Sequence, residues 1–199
     1  MNSLTLQRAL GLGLLLFGLG SCGTNVSVET AILTPSDQWQ TLTTANVQLD
    51  LPPGYVGGDP GRDLEALQRT LVSWEQGDRT EWLSQNAAEF EFLAFQRAGE
   101  MLNSINIVQE DRPKTLTLAD YLQRQTEKLE AAGITATSTI TATSASLELR
   151  SMNLYQRIYI YPTETVFWVI TYSSGSPNAE FTAGVEQSQQ SFQVRLEPS

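Results

Sequence analysis

Residues 154–173 read LYQRIYIYPTETVFWVITYS. The β-branched and aromatic residues of this stretch suit a pleated, half-buried surface and predict two strong strands, Leu154 to Tyr161 and Thr165 to Ser173. The second strand is apolar on both faces through VFWVI (166–170), the pattern of a strand covered on both sides, and is expected at the centre of a sheet. In the first strand the side chains alternate, so Tyr155, Arg157, Tyr159 and Tyr161 share one face.

Working outward, Ser174 to Pro177 makes a turn. Phe181, Val185 and Ser188 mark a last helix, and Phe192, Val194 and Leu196 a terminal strand. On the N-terminal side, Ile134 to Ser146 is rich in Thr, Ser and Ala, and its β-branched content predicts one strand. Thr117-x-x-Asp120 is a capping box; Leu118, Tyr121, Leu122 and Leu129 then share a helical face that stops at Gly133. Ser104 to Gln109 reads as a strand, and so does Glu89 to Gln96, where Phe90 and Phe92 alternate with Glu89 and Glu91. Asp59 before Pro60 opens a helix bearing Leu64, Leu67, Leu71 and Trp74 and closed by Gly77. Asp78 to Glu81 repeats the capping pattern before a shorter helix with Trp82 and Leu83. Trp39 to Thr43 and Val47 to Leu51 form a hairpin ended by Pro52-Pro53-Gly54. Strands and helices do not strictly alternate, so the expected fold class is α+β, an antiparallel sheet with helices packed on its faces.

The N-terminus carries a different signal. Arg8 is followed by the apolar run Ala9 to Leu19 and by Gly20-Ser21-Cys22, which has the basic, apolar and small-residue regions of a secretory leader. Leu19-Gly20-Ser21-Cys22 fits a lipobox. We therefore expect residues 1–21 to be a lipoprotein signal peptide, 22–38 a lipidated N-terminus and tether with at most a short strand near Val26 to Val28, and 39–199 the domain. Acyl chains on Cys22 would bind a lipid bilayer, since more than one chain gives stable attachment. Cys22 is the sole cysteine, so the chain has no intrachain disulfide and no thiolate cluster.

Net charge is −10 with no histidine. An acidic body repels phosphate backbones, so no nucleic-acid partner is expected. Without imidazole, a Ser-His-Asp or Cys-His mechanism and the usual histidine metal sites cannot be built. Gly54, Gly57, Gly58 and Gly61 precede a helix, but their spacing fits no phosphate-binding fingerprint and Asp59 sits where an anion would bind; they read as a structural turn. Glu89 and Glu91, about 7 Å apart along one strand face, have the spacing of an acid–base pair or of ligands for Ca²⁺, against the plainer reading of a solvated face. Tyr155, Tyr159 and Tyr161 with Arg157 could make an aromatic recognition surface, against the plainer reading that a helix covers them. The acids Asp63, Glu65 and Glu75 on the first helix are candidates for docking a basic partner. No cofactor and no metal are expected.

The segments VQLDLPPGYV (47–56), SINIVQE (104–110), TLADYLQRQTEKL (117–129), FWVITYSS (167–174) and VEQSQQSFQV (185–194) follow one another as they do in PsbP-like proteins, which the chain resembles over roughly residues 39 to 196. That family includes the extrinsic PsbP subunit of photosystem II, its cyanobacterial lipoprotein relatives and a eukaryotic Ran-binding protein. The resemblance implies an α/β/α sandwich, and its motifs specify packing more than chemistry. The chain departs from better-studied members in a long helical insertion, Asp59 to Ala88, and in lacking histidine for the metal sites of photosynthetic relatives. The expected function is a lipid-anchored, non-enzymatic accessory protein, facing the periplasm or the thylakoid lumen, that docks to or assists assembly of a membrane complex, photosystem II for a photosynthetic source. The alternatives are a small-molecule or ion-binding module of the bacterial cell envelope, with calcium as an ion to consider, and then a carboxylate-based enzyme.

Overall fold

The computed structural model describes residues 34–99, 101–151 and 154–195. The expected signal peptide, Cys22, the short strand near Val26 to Val28, most of the tether and Leu196 lie outside the described residues.

The fold is α+β. Seven antiparallel strands form the main sheet in the order β3 (Tyr55–Gly58), β4 (Phe92–Ala98), β5 (Met101–Asp111), β9 (Val166–Ser174), β8 (Leu154–Pro162), β7 (Ala145–Ser151), β6 (Ala136–Ile140). The doubly apolar β9 lies inside the sheet between β5 and β8, as its sequence requires. A second sheet of three strands, β1 (Gln40–Thr43), β2 (Val47–Leu51) and β10 (Gln193–Val194), is built from the N-terminal hairpin and the end of the chain. The α-helices of the described residues are α1 (Pro60–Ser73), α2 (Asp78–Asn86), α3 (Leu118–Ala131) and α4 (Ala179–Ser191).

Alternation of side chains divides the core. On one face of the main sheet, Tyr55, Phe92, Ile105, Ile107, Trp168, Ile170 and Tyr172 pack against Leu42, Val47, Leu49 and Leu51 of the small sheet and Val185 of α4. On the opposite face the core has two parts. Leu67, Leu71 and Leu83 of α1 and α2 cover Leu93, Phe95 and Leu102, while Tyr121, Leu122 and Leu129 of α3 cover Leu147, Leu149, Ile158, Ile160 and Phe167. Tyr121 stacks on Phe167 with ring centroids 4.2 Å apart.

The helix ends follow local chemistry. Asp59 Oδ1 accepts from the Gly61 N–H at 2.8 Å and Thr117 Oγ1 from the Asp120 N–H at 3.1 Å, satisfying donors that the first helical turn leaves open. Gly133 closes α3 at φ +74°, a left-handed conformation that glycine adopts without strain. The capping box expected at Asp78 does not form: Gly77 precedes α2 and makes no side-chain cap bond.

Three strand expectations need correction. Gly57 and Gly58, two of the glycines expected in a structural turn, belong to β3, which pairs with β4 from Tyr55↔Gln96 to Gly58↔Leu93. Its glycine has a steric reason, because a Cβ on Gly57 would lie 2.5 Å from Ala94 Cβ and 2.6 Å from the Leu93 carbonyl oxygen. Ile134 to Ser146 is not one strand but β6, a turn, and the start of β7. Thr141 makes that turn: its Oγ1 accepts from the Thr143 and Ser144 N–H groups at 3.3 and 3.0 Å. The strand expected from Glu89 starts at Phe92, since Ala87–Glu89 is a 3₁₀ turn.

Candidate functional site

The tyrosine row of β8 is the first candidate. It lies beneath α4 and is not a free recognition surface. Tyr155 meets the Phe181 ring edge-on at 6.0 Å, and Tyr159 meets Tyr172 in the same way at 6.0 Å. Tyr161 Oη donates to Gln189 Oε1 at 2.5 Å. Arg157 pairs with Glu186 at 3.3 Å, and its guanidinium stands 5.6 Å from the Tyr159 ring centroid. Burial raises the phenol pKa of Tyr155 and Tyr159, and that of Tyr161 to about 12, because the phenolate would lose its solvation. Tyr155 and Tyr159 are buried, and Tyr161 and Arg157 keep partial exposure at the helix edge. The row is therefore the seam between sheet and helix.

The three acids of the insertion have different positions. Asp63 is 12% exposed in its side chain and ion-paired with Arg62 at 2.9 Å; its Oδ2 also accepts from the Asp59 N–H at 3.1 Å. It is part of the helix N-terminus and not an outward-facing docking group. Glu65 is exposed. The Glu75 side chain is 87% exposed and reaches Arg97 at 4.0 Å. Glu75 also has φ 62°, and the Gln76 N–H bonds the Leu71 carbonyl at 2.9 Å across it, so it occupies the left-handed position where a helix usually ends in glycine. Between these residues the outer surface of α1 and α2 holds a shallow depression of about 470 Å³ lined by Glu65, Gln68, Arg69, Val72 and Thr80. Val72 is 60% exposed. Val72 lies off the apolar stripe that buries α1, so helical periodicity gives no sign of its exposure.

Glu89 and Glu91 do not share a strand face. Glu89 belongs to the 3₁₀ turn, and Glu91 Oε1 accepts from Thr44 Oγ1 and Asn46 Nδ2 at 3.2 and 2.8 Å, tying the hairpin to β4. Burial raises the Glu91 pKa despite these two bonds. Among the described residues no group of three or more His, Cys, Asp or Glu is placed to hold a metal ion.

A second, deeper cleft of about 490 Å³ opens between α4 and the Pro52–Tyr55 corner, with Trp39, Tyr55, Gln96, Asn103 and Phe181 among its walls. Tyr55, Gln96 and Asn103 face one another across β3, β4 and β5. Gln96 Nε2 donates to the Pro53 carbonyl at 2.9 Å, and Asn103 Nδ2 donates to Gln96 Oε1 at 2.8 Å. The carbonyl can only accept, which fixes the orientation of both amides. Asn103 Oδ1 is therefore left buried and unpartnered. No residue type in the sequence pattern announces this chain of amides, because its members come from three strands.

No family model matches the chain, and no curated protein matches it in sequence. Among the described residues no helix is long and apolar enough to cross a membrane.

Proposed function

We propose that this protein is a lipid-anchored, non-enzymatic accessory protein that docks to, or assists the assembly of, a membrane complex through the outer face of its Asp59–Ala88 insertion. The observation that carries the reading is the depression around Val72. An exposed aliphatic side chain ringed by Glu65, Arg69, Gln68 and Thr80 has the apolar centre and polar rim of a protein interface. Glu75 adds a second support. A non-glycine residue held at positive φ stores strain of about 1–3 kcal/mol, a feature that concentrates at functional segments. The lipobox at Leu19–Cys22 supports the anchor, and the PsbP-like pattern supports photosystem II as the complex if the source is photosynthetic, with the chain facing the thylakoid lumen or the periplasm. The acids alternate with Arg69 and Arg97, so the attraction to a basic partner is weak and mainly affects encounter.

The test is a mild-detergent pull-down from native membranes with mass spectrometry. Val72→Glu with Glu65→Lys is expected to reduce recovery of the complex while the urea midpoint stays within experimental error of wild type. Equal recovery by a folded double variant would refute docking at this face. Cys22→Ser is expected to block lipidation and slow processing; a Cys22→Ser chain processed and membrane-bound like wild type would refute the anchor.

A second reading is a small-molecule binding module, favoured by the unpartnered Asn103 Oδ1 in the Trp39–Phe181 cleft. Its volume is in the range of ligand pockets, roughly 300–1,000 Å³, and its lining amides suit a neutral ligand with O–H or N–H donors better than an ion. Thermal shifts with a panel of neutral sugars and amides, lost in Tyr55→Phe and Asn103→Leu, would support it. A panel that shifts wild type and both variants alike would reject this cleft as the binding place.

A further inference from the structure

The main sheet ends differently on its two sides. At one edge β3 is fully buried and runs directly into Asp59 and α1. At the other edge β6 has one half-buried residue, Ala136, followed by four exposed ones, with Ile140 48% exposed. An open edge offers its free N–H and C=O groups to any extended chain, and proteins normally blunt it with charges, proline or a bulge. This edge has none of these. Residues 134–147, ITATSTITATSASL, contain no charged residue and no proline, and the pairing with β7 runs one to one from Ala136↔Leu149 to Ile140↔Ala145.

The hydrogen-bond parity of β6 can be read from its turn. The Thr141 N–H bonds the Ser144 carbonyl at 2.8 Å. Bonded and non-bonded pairs alternate in an antiparallel ladder, so the amides of Thr137 and Thr139 point to β7. Those of Ala136, Ser138 and Ile140 point outward.

We propose that β6 is a homodimer interface, in which two copies of this chain pair β6 with β6 antiparallel about a two-fold axis at Ser138. In that register the outward groups of Ser138 meet Ser138 of the second copy, and those of Ala136 meet Ile140, giving about six backbone hydrogen bonds by the antiparallel rule. Thr137 then stands opposite Thr139 in the closely spaced pairs, a favourable cross-strand match that occurs twice by symmetry. The smallest side chain, Ala136, faces the largest, Ile140. The occupant is a second copy because the segment is self-complementary about its own centre, as a two-fold contact requires. It is also a charge-free stretch of a chain with net charge −10, so the two paired strands bring no like charges of their own together. The inference goes beyond docking to a membrane complex and does not depend on it.

Sedimentation velocity of the full chain in mild detergent tests the proposal. Wild type is expected to dimerise with concentration. Ser138→Lys puts two like charges opposite one another at the axis and should raise the dimer dissociation constant by about tenfold or more, with an unchanged circular dichroism spectrum because Ser138 is exposed. Bonded pairs bring Cα atoms to about 5.5 Å, within reach of a disulfide. Ser138→Cys should therefore cross-link faster than Thr143→Cys on the turn, with wild type as the control for Cys22. The proposal is overturned if wild type stays monomeric up to its solubility, if Ser138→Lys dimerises as well as wild type, or if the two cysteine variants cross-link at equal rates.

Discussion

Replacing Trp168 by alanine tests whether β9 is the centre of the core. The residue is 3% exposed and packs in the layer shared with the small sheet, its indole 6.4 Å from the Phe192 ring. Truncating a buried tryptophan or phenylalanine to alanine costs about 3–5 kcal/mol, against a total near 5–15 kcal/mol for a domain. One local term works the other way. The Trp168 indole N–H is buried without an acceptor, and such a group carries a penalty of about 1–3 kcal/mol that disappears with the ring. Trp168→Ala should therefore fall near the low end, about 3 kcal/mol, and Trp168→Phe, which keeps an aromatic ring and removes the donor, should cost under about 1 kcal/mol. For a chain of this size, each kcal/mol corresponds to about 2–4 °C in Tm. Urea unfolding followed by far-ultraviolet circular dichroism reads both variants, with the m-value unchanged if the native fold persists. A loss below about 1 kcal/mol for Trp168→Ala would show that the side chain is not in a packed core. A Trp168→Phe loss as large as that of Trp168→Ala would show that the indole N–H has a partner after all.

Glu91→Gln keeps an acceptor oxygen for Thr44 and Asn46 and removes a charge whose pKa burial raises above its ordinary 4.5. A raised carboxyl pKa means that stability is greatest with the group protonated and falls as pH rises from the unfolded pKa through the folded one. Wild type should lose stability over that window and Glu91→Gln should lose less, as urea midpoints at stepped pH would show; parallel curves would contradict the assignment. Gly57→Ala should cost about 1–3 kcal/mol, because the new Cβ meets the Leu93 carbonyl and Ala94, and a neutral result in thermal melts would mean that β3 moves freely. Asp63→Ala should cost about 1 kcal/mol through the lost Asp59 N–H and helix N-terminus contacts, whereas Glu65→Ala should stay within about 0.5 kcal/mol; equal effects would erase the distinction between a structural acid and a surface one.

The elements with a strong period were legible in the sequence. VFWVI lacked a polar face and sits between two strands; the Thr117 capping box and Gly133 bracket α3. The misread elements share a physical cause. YVGG is short and half glycine, which lowers strand propensity, yet Gly57 is there because β4 passes too close for a side chain. The β6–β7 turn contains no glycine, proline, asparagine or aspartate. Hydroxyl-to-backbone bonds from Thr141 do the work, and a threonine-rich run gives no sign in sequence of which hydroxyl turns inward.

Docking groups were less legible for a different reason. Whether Tyr155, Arg157, Tyr159 and Tyr161 meet solvent or a helix depends on where α4 is laid down, a matter of tertiary packing that strand alternation does not encode. The helix carries matching groups at Phe181, Glu186 and Gln189, so each tyrosine or arginine feature that would mark a recognition surface is answered within the chain. The acids divide in the same way: Asp63 is bound at the start of α1, whereas Glu65 points outward and Glu75, past the helix end, reaches Arg97 at 4.0 Å. What an outside partner can read is the remainder after internal pairing. Among the described residues that remainder includes the Val72 depression with Glu65 on its rim, the Asn103 acceptor in its cleft and the outward amides of Ala136, Ser138 and Ile140. Two of these three are backbone or amide groups, which carry no charge and leave no trace in composition, so a net charge of −10 gives no sign of them.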